Sequence, residues 1–384
     1  MNSTGLRPCC VGPSSSPPQD DCAPFPGVYQ LAACAVGGSL AAAEALACRR
    51  TRLAIHLDGG RHHAHKSAAA GFCFLNDVVL AILQLLGSFN RVMYVDVDVH
   101  HCDAGACGWV WCMLLAAHAP RRGQALLCPC APPPSPWSAR ASAAPAGRYA
   151  SRHFSHLPHF AVEDAFQLTE RVLTLSLHKR ARGFFPGGGS HEHQGAGAGA
   201  GFSLNLPLAD GLRDGLFLEA FSRLAGGAAA VFCPDCVVLQ CGVDGLAHDP
   251  VAASWGLTPA AYAGVAGAAA SWGVPLMVLG GGGYSSPDAA RAWAAAVASL
   301  HGRTLPIDVP EHDNLDRYGP SFTFEVHELL GPDINDRCQV LRMCDTLLAA
   351  LRLGLCRGGG SGGGSAVGDG TKRQKRIIPQ EAVT

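Results

Sequence analysis

The residues best suited to chemistry form a short run of acids and histidines. Asp96, Asp98, His100 and Asp103 follow directly on an apolar segment. Asp98 and His100 alternate with valines, so an extended chain places both side chains on the same side. Asp244 follows a second apolar segment and supplies a third candidate ligand. Two carboxylates and one imidazole leave coordination positions open for water and substrate, as expected of a catalytic zinc site.

The bland alternative is that Asp96 and Asp98 only cap loops. Burying so many acids and histidines after an apolar strand is costly without a metal or mutual pairing, so the metal site is favoured. His62 and His63 are weak evidence alone. At the same edge of a sheet they could act as a general base and a general acid. One would take a proton from the attacking water, and the other would stabilise or protonate the leaving amine.

Asp96 and Asp103 are natural partners for the second ring nitrogen of these histidines, fixing the tautomer. The glycine run 280–283 lacks the Lys-Ser/Thr of a P-loop, so close backbone approach to a ligand explains it better than phosphate binding. Tyr284 follows that run and can donate a hydrogen bond to a developing oxyanion.

The elements that position these groups are short apolar runs of strand type that alternate with helical stretches. This rhythm predicts an α/β fold, a single-domain parallel sheet with helices on both faces. Ligands of such sheets bind beyond the carboxyl ends of the strands, where the candidate residues fall. The predicted strands are 52–57, 91–97, 171–177, 236–241 and 275–279, and the Ala-rich stretch 28–49 is predicted to be a helix.

Composition limits the class of protein. The chain has 384 residues, of which 48% are hydrophobic, enough to fill one large core. Its formal net charge of -1 excludes a basic protein that coats nucleic acid, and we expect no sequence-specific nucleic-acid binding. Neither a secretory signal nor a membrane span is expected, since polar residues and glycines break the most apolar stretches. The seventeen cysteines then favour buried thiols over a disulfide framework.

Three segments interrupt this pattern. Residues 1–20 form an irregular lead-in rich in Pro and Ser, and the catalytic domain is predicted to span 21–355. Residues 106–161 carry Cys, Pro and Arg clusters without helix or strand periodicity and are predicted to be an inserted, largely disordered loop. Residues 356–384 are a Gly/Ser linker followed by a basic tail, typical either of a nuclear-localisation patch or of a merely solvated tail.

Several of these motifs together resemble a known family. The chain is similar to class I histone deacetylases of the arginase/deacetylase fold, with weaker similarity to the histone deacetylase 8 branch in 162–166 and 183–186. The resemblance covers about 21–355 apart from the insertion. The runs that carry it are His62-His63-Ala64, Gly71-Phe72-Cys73-Phe74-Leu75-Asn76-Asp77, Asp96-Val97-Asp98-Val99-His100-His101, Leu239-Gln240-Cys241-Gly242-Val243-Asp244 and Leu279 to Tyr284.

The resemblance implies zinc-dependent hydrolysis of Nε-acetyl-lysine on histones or other proteins, with a role in transcriptional repression. Asp98, His100 and Asp244 match the family's zinc ligands, although ferrous iron also suits these ligands. His62 and His63 match its acid/base pair. Acetylated histone tails or other acetyl-lysine proteins are the implied partners, with a corepressor complex possible, and the implied location is the nucleus, with the cytoplasm also possible.

Further roles follow from the same resemblance. Tyr284 matches the residue that polarises the acetyl carbonyl. Gly71, Phe72 and Phe185 match the walls of the narrow tunnel that holds the lysine stem; without the resemblance, the two phenylalanines would be interpreted as core. A structural potassium ion is implied at the residues matching Asp96, Asp98, His100, Ser176 and Leu177.

The sequence also departs from the family. The elements that precede Asp21 in the family have no match, which predicts an uncovered sheet edge. The loop acid that clamps the substrate backbone has no identified counterpart. A family glycine is replaced at Cys102, which strains the backbone if its φ is positive. Two alternatives stay open: a catalytically impaired deacetylase-fold protein that retains a binding role, and a deacetylase of small acetylated amines such as polyamines.

Overall fold

The computed structural model describes residues 20–66, 68–102, 161–252, 255–329 and 331–358. Within these ranges six strands form one parallel sheet in the order β1-β6-β5-β2-β3-β4. This confirms the predicted fold class and all five predicted strands. The strands are β1 Leu53–His56, β2 Val92–Asp96, β3 Val172–Lys179, β4 Ser203–Leu208, β5 Cys236–Gln240 and β6 Leu276–Leu279.

The sixth strand, β4, is the one that the sequence did not predict. It contains Pro207 and follows a glycine-rich stretch, and both features argue against a strand. The structure places β4 at the end of the sheet, where it pairs with β3 alone among the described strands. A proline is tolerated on an edge strand because the missing N–H need not serve a second neighbour.

Helices precede, follow and connect the strands. The predicted helix 28–49 is confirmed as α1. The helices are α1 Val28–Ala47, α2 Asp77–Leu85, α3 Ala161–Phe166, α4 Asp214–Phe221, α5 Gly227–Phe232, α6 Pro259–Ser271, α7 Ser286–Leu300 and α8 Arg337–Gly358, with a π-helical turn at Ser222–Gly226 between α4 and α5 and 3₁₀ turns at Asp20–Cys22, Gly197–Gly199 and Leu315–Tyr318.

The two faces of the sheet bury alternate residues of each strand. In β2, Met93 and Val95 pack into one core with residues of α4 to α8. Val92 and Tyr94 point the other way, into a second core with residues of α1, α2 and α3. Helices therefore cover both faces, and the strands are mostly apolar because both faces are buried.

Two helical stretches are long and apolar enough to cross a membrane by length and composition alone, Val28–Ala47 and Asp214–Phe232. Core helices of globular domains pass the same test. Here α1 packs against α2 and β1, and α4 packs against α6 and α8. Each stretch therefore packs against other elements of the described domain along part of its surface.

Between β2 and β3, the described residues stop at 102 and resume at 161, and the two ends lie close together. Cys102 and Val162 belong to the same buried cluster, and His101 Nε2 lies 3.4 Å from Glu163 Oε2. The predicted insertion 106–161 falls outside the described residues except for Ala161, which begins α3. At the other end of the domain, α8 continues to Gly358, so helix replaces the first residues of the predicted linker.

We predict that the domain folds without the segment between these ends. Replacing residues 106–160 by a four-residue Gly/Ser linker leaves Cys102 and Val162 in their shared buried cluster, and we expect a cooperative thermal transition with Tm within roughly 5 °C of the full chain. Differential scanning calorimetry of both purified chains measures this. Loss of the cooperative transition in the shortened chain contradicts the prediction.

Candidate active site

The candidate residues meet because their strands are neighbours in the sheet. Strand β5 lies between β2 and β6, and β1 lies on the far side of β6. The carboxyl ends of parallel strands share one edge, so the segments after β1, β2, β5 and β6 converge there. This edge carries His62 and His63, Asp98 and His100, Asp244, and Tyr284.

Asp98, His100 and Asp244 form a compact buried cluster. One ligand atom from each lies within 4.8 Å of the others. His100 Nδ1 is 2.8 Å from Asp244 Oδ2 and 3.3 Å from Asp98 Oδ1. Two carboxylates buried this closely repel each other unless a cation lies between them. The donor set therefore fits a divalent metal ion.

The pKa values of Asp244 and His100 reflect the closeness of these buried charged groups. Burial, followed by the Asp98 carboxylate, raises the pKa of Asp244 to about 7. Burial opposes the charged form of His100, but Asp244 outweighs it and raises the pKa of His100 to about 10. Without a metal, a proton held by His100 offsets part of the negative charge.

Backbone and side-chain donors hold the cluster in place. Gln240 Nε2 donates to Asp98 Oδ2 over 3.1 Å, and the backbone N–H of Gly282 donates to the same oxygen over 2.8 Å. The N–H of Val99 donates to Asp244 Oδ1 over 2.9 Å. A Cβ on Gly282 would come within 2.3 Å of Asp244 Oδ2, so the glycine lets the backbone lie against the cluster, while its predicted close approach to a ligand stays a prediction.

His62 and His63 face each other beside this cluster. Their Nε2 atoms are 3.0 Å apart, so one ring donates and the other accepts. His62 Nδ1 is 2.8 Å from Asp96 Oδ2, which also accepts the Tyr94 hydroxyl over 2.6 Å. Asp96 is therefore the partner of His62 that the sequence predicted.

The two histidines differ in charge. Burial opposes the charged form of His62, but Asp96 and then Asp98 outweigh it and raise the pKa of His62 to about 9. Burial, followed by repulsion from His62, lowers the pKa of His63 well below its ordinary value. At neutral pH His62 is therefore a cation and His63 a neutral acceptor, the separation of roles expected of an acid/base pair.

His63 Nδ1 is buried and has no hydrogen-bond partner among the described residues. Asp103, the predicted partner of a histidine, lies outside the described residues, so its role stays a prediction. Cys102, in contrast, is described and buried, and it is not among the described non-glycine residues with positive φ. The strain that was expected if φ were positive is therefore absent at Cys102.

The histidine pair and Asp98 line a cavity of about 430 Å³ that also contains Gly71, Phe72 and Tyr284. The Phe72 and Tyr284 rings are 5.8 Å apart at its mouth, 49% and 37% exposed. The Phe185 ring lies 5.1 Å from that of His63. All three predicted tunnel residues thus lie beside the histidine pair.

A tight turn presents Phe72 at the mouth. Ala70 and Cys73 exchange both backbone hydrogen bonds, and the two residues between them, Gly71 and Phe72, have φ of 54° and 61°. Positive φ at both central positions is typical of a type I′ turn and rare for a bulky residue. Such a strained aromatic at a cavity mouth is typical of a functional position.

The sequence analysis missed four residues that support the site. Asp21 Oδ2 accepts the Gly71 N–H over 3.0 Å, so an acid does lie beside the mouth. Asp249 accepts the backbone N–H of Tyr284 over 2.8 Å, and Phe184 stacks on His100 with ring centroids 5.1 Å apart. Gln240 could have been found from the sequence, because it is a polar residue at the end of an apolar strand. The roles of the other three residues become visible only from their tertiary contacts.

The residues of the predicted potassium site occupy neighbouring strands. Asp96 of β2 lies directly opposite Ser176 of β3, with Leu177 next along that strand. Ser176 Oγ is 2.9 Å from His178 Nδ1, and His178 Nε2 is 2.9 Å from the carbonyl oxygen of Gly189, to which it donates. His178 is thus held by its neighbours, while potassium binding stays a prediction.

Comparison with known proteins agrees with this geometry. A sequence model of the histone deacetylase domain matches residues 4–108 and 161–300. Histone deacetylase 8 of Xenopus tropicalis is 35% identical over 332 residues, 86% of this chain and 74% of the relative. Histone deacetylase RPD3 of Saccharomyces cerevisiae is 33% identical over 307 residues, 80% of this chain and 57% of the relative.

Histone deacetylase 6 of Arabidopsis thaliana is 33% identical over 332 residues, 86% of this chain and 58% of that relative. These similarities confirm the predicted resemblance, including that to the histone deacetylase 8 branch. The match breaks between residues 108 and 161, where the sequence predicts the insertion. With its parallel sheet and its buried Asp-His-Asp cluster, this chain belongs to the histone deacetylase family.

Proposed function

We propose that the chain is a zinc-dependent hydrolase that converts Nε-acetyl-lysine on proteins to lysine and acetate. The observation that carries the proposal is a cavity lined both by Asp98 of the buried metal-ligand cluster and by two histidines, one cationic and one neutral. Family membership supports a deacetylase. The metal, the substrate and the residue roles belong to the proposal.

Asp98, His100 and Asp244 would hold the metal. A bound zinc ion supplies a Lewis acid that polarises the acetyl carbonyl and lowers the pKa of the attacking water. Ferrous iron suits the same ligands, so the metal available decides which is bound. The proposed potassium site consists of Asp96, Asp98, His100, Ser176 and Leu177. The pairing of Asp96 with Ser176 across two neighbouring strands supports it.

The histidines move the protons. His63 is neutral and accepts a proton from the attacking water. His62, held as a cation by Asp96, stabilises negative charge as it develops and protonates the leaving amine. Because its Nε2 accepts from His62, neutral His63 carries its proton at the buried Nδ1, and this N–H needs an acceptor, which supports the prediction that Asp103 pairs with it.

Tyr284 and the aromatic walls position the substrate. Burial, with Asp98 and Asp244 nearby, raises the pKa of Tyr284 well above its ordinary value, so its hydroxyl stays protonated and can donate to the acetyl oxygen. Phe72 and Phe185 with Gly71 would contact the apolar methylene stem of the lysine, leaving the polar peptide backbone outside.

Acetylated histone tails or other acetylated proteins are the proposed substrates. The proposed setting is transcriptional repression in the nucleus, with the cytoplasm as a second location. A corepressor complex is the proposed assembly. These proposals rest on family membership, since the contacts of the site recognise acetyl-lysine and not the protein that carries it.

Metal affinity is predicted to rise with pH. His100 has a pKa of about 10 in the metal-free site and must lose its proton to become a ligand. Below that pKa, each unit of falling pH therefore weakens zinc binding, and we expect the apparent association constant to rise at least roughly tenfold per unit between pH 6 and 8. The rise is steeper below the Asp244 pKa of about 7, where that carboxyl must lose a proton as well. Calorimetric titration against a competing chelator measures it. An affinity independent of pH contradicts the protonated His100.

Loss of His63 is predicted to slow turnover without removing the metal. We expect His63→Ala to lower kcat on an acetyl-lysine peptide by roughly 10²- to 10⁴-fold, because a general base is lost. His100→Ala and Asp244→Ala should abolish both zinc binding and turnover. The exposed His312 is not part of the cavity, so His312→Ala is the matched control. Undiminished turnover in any of the three site variants contradicts the mechanism.

Peptide and small-amine substrates separate the remaining alternatives. We expect kcat/KM for an acetylated peptide to exceed that for an acetylated diamine by at least about tenfold, roughly 1.4 kcal/mol of additional transition-state contact at the exposed rim. Parallel assays on the purified, zinc-loaded chain measure the ratio. A preference for the diamine favours a polyamine deacetylase, and no turnover of either favours the impaired binding protein.

A further inference from the structure

The two residues at the start of α2 contact the backbone on both sides of the histidine pair. The Asp77 carboxylate is fully buried and accepts two backbone hydrogen bonds, from Gly60 N–H over 2.9 Å and from Arg61 N–H over 2.7 Å. Arg61 immediately precedes His62. Asp77 therefore fixes the chain as it enters the catalytic pair.

Asn76 fixes the chain as it leaves the pair. Its Nδ2 donates to the carbonyl oxygen of His62 over 3.2 Å and to that of Ala64 over 3.0 Å. Its Oδ1 accepts the Val79 N–H over 3.0 Å and so caps α2. One side chain thus joins the helix terminus to the loop. We call Asn76 and Asp77 the loop clamp.

The loop clamp is itself anchored from α1. Ser39 is fully buried, and its hydroxyl donates to Asp77 Oδ2 over 2.5 Å. The Ser39 hydroxyl oxygen itself lies 3.0 Å from His56 Nδ1, at the end of β1. A hydroxyl carries a single proton, so Ser39 accepts from the N–H of His56 while it donates to Asp77. The carboxylate consequently has three donors and a single orientation.

The opposite side of the loop leaves no room for adjustment. Gly60 has φ +92°, and a Cβ there would meet the carbonyl oxygen of Gly280 at 2.2 Å. Gln240, which also holds Asp98, donates to the Gly60 carbonyl oxygen over 3.3 Å. The loop is therefore confined between the clamp and the glycine run that carries Tyr284. A change in the clamp shifts the histidines relative to both.

We propose that Asn76 and Asp77 are positioning residues for the histidine pair, acting through the backbone of residues 60–64. The proposal rests on the proposed function, since it assigns the reacting histidines to His62 and His63. The clamp holds His62 against Asp96 and keeps the two Nε2 atoms within hydrogen-bond distance. A displacement of about 1 Å in such a group costs up to roughly 10²-fold in rate.

Asn76→Asp tests this with little disturbance of the fold. The substitution keeps the oxygen that caps α2 but places a carboxylate oxygen against the carbonyls of His62 and Ala64. Asn335 provides the matched control, because its Nδ2 donates to the carbonyl oxygens of Ala209 and Asp210 while its Oδ1 accepts the Ala209 N–H, remote from the cavity. Asn335 Nδ2 also donates to Asp333 Oδ1 over 2.7 Å, so Asn335→Asp makes the same change on another loop and adds a repulsion between two carboxylates there. It is therefore the more severe of the two substitutions for local stability.

We expect Asn76→Asp to lower kcat on an acetyl-lysine peptide by roughly 10- to 100-fold with KM changed less than about threefold. Asn335→Asp should keep kcat within about twofold of the parent chain at an equal or larger loss of Tm. In the full chain, the low-field NMR signal of the His62 Nδ1 proton, assigned by its loss in His62→Gln, should shift in Asn76→Asp and stay unchanged in Asn335→Asp.

The ring-proton signal does not require turnover, so it tests the clamp even if the parent chain fails to hydrolyse acetyl-lysine and the proposed function is wrong. Asp77→Asn, which disturbs only the entry side of the loop, should shift the same signal. An unchanged His62 signal in both clamp variants overturns the proposal. Equal losses of kcat in Asn76→Asp and Asn335→Asp overturn it as well, because they would show a general effect on the fold.

Discussion

The burial of three carboxylates at the ends of two adjacent strands is the constraint on which this site depends. Asp96, Asp98 and Asp244 are at most 1% exposed, and each would be strongly destabilising if left uncompensated. Asp96 is compensated by Tyr94 and His62. Asp98 and Asp244 both contact His100, and both accept hydrogen bonds from backbone or side-chain amides. The negative charge that remains on them is suited to a divalent cation.

The properties of the histidine pair follow from the same carboxylates. His62 lies against Asp96 and takes a positive charge, and burial together with that charge keeps His63 neutral. Two chemically identical side chains thus acquire different protonation states from their surroundings. The distinction depends on the Nε2 atoms staying close, which in turn depends on how firmly the loop that carries them is held.

Much of this arrangement could be predicted from the sequence, because it is encoded locally. The alternation of Asp98 and His100 with valines and the apolar strand before them place a metal-ligand pair at a strand end. Asp244 follows another such strand, and parallel strands bring the two together. The family motifs then add Phe72 and Phe185, which composition alone would assign to the core.

The features that escaped prediction depend on partners remote in the chain. Pro207 argued against a strand, and only its place at the sheet edge makes it tolerable. Asp21 accepts the N–H of Gly71, although it precedes α1 in the chain and Gly71 follows it. From the sequence, Asn76 is expected only to cap a helix. Its contacts with the histidine loop appear only when α2 has packed on the sheet, so no local pattern reveals them.

The most direct test of the central claim is a zinc titration followed by acetate release. The purified, metal-free chain is loaded with increasing Zn²⁺ in the presence of an acetyl-lysine peptide, and the initial rate is measured at each bound fraction. One Asp-His-Asp cluster predicts a rate that rises in proportion to bound zinc and saturates at one equivalent. A rate that is indifferent to zinc, or no acetate at full occupancy, contradicts the account.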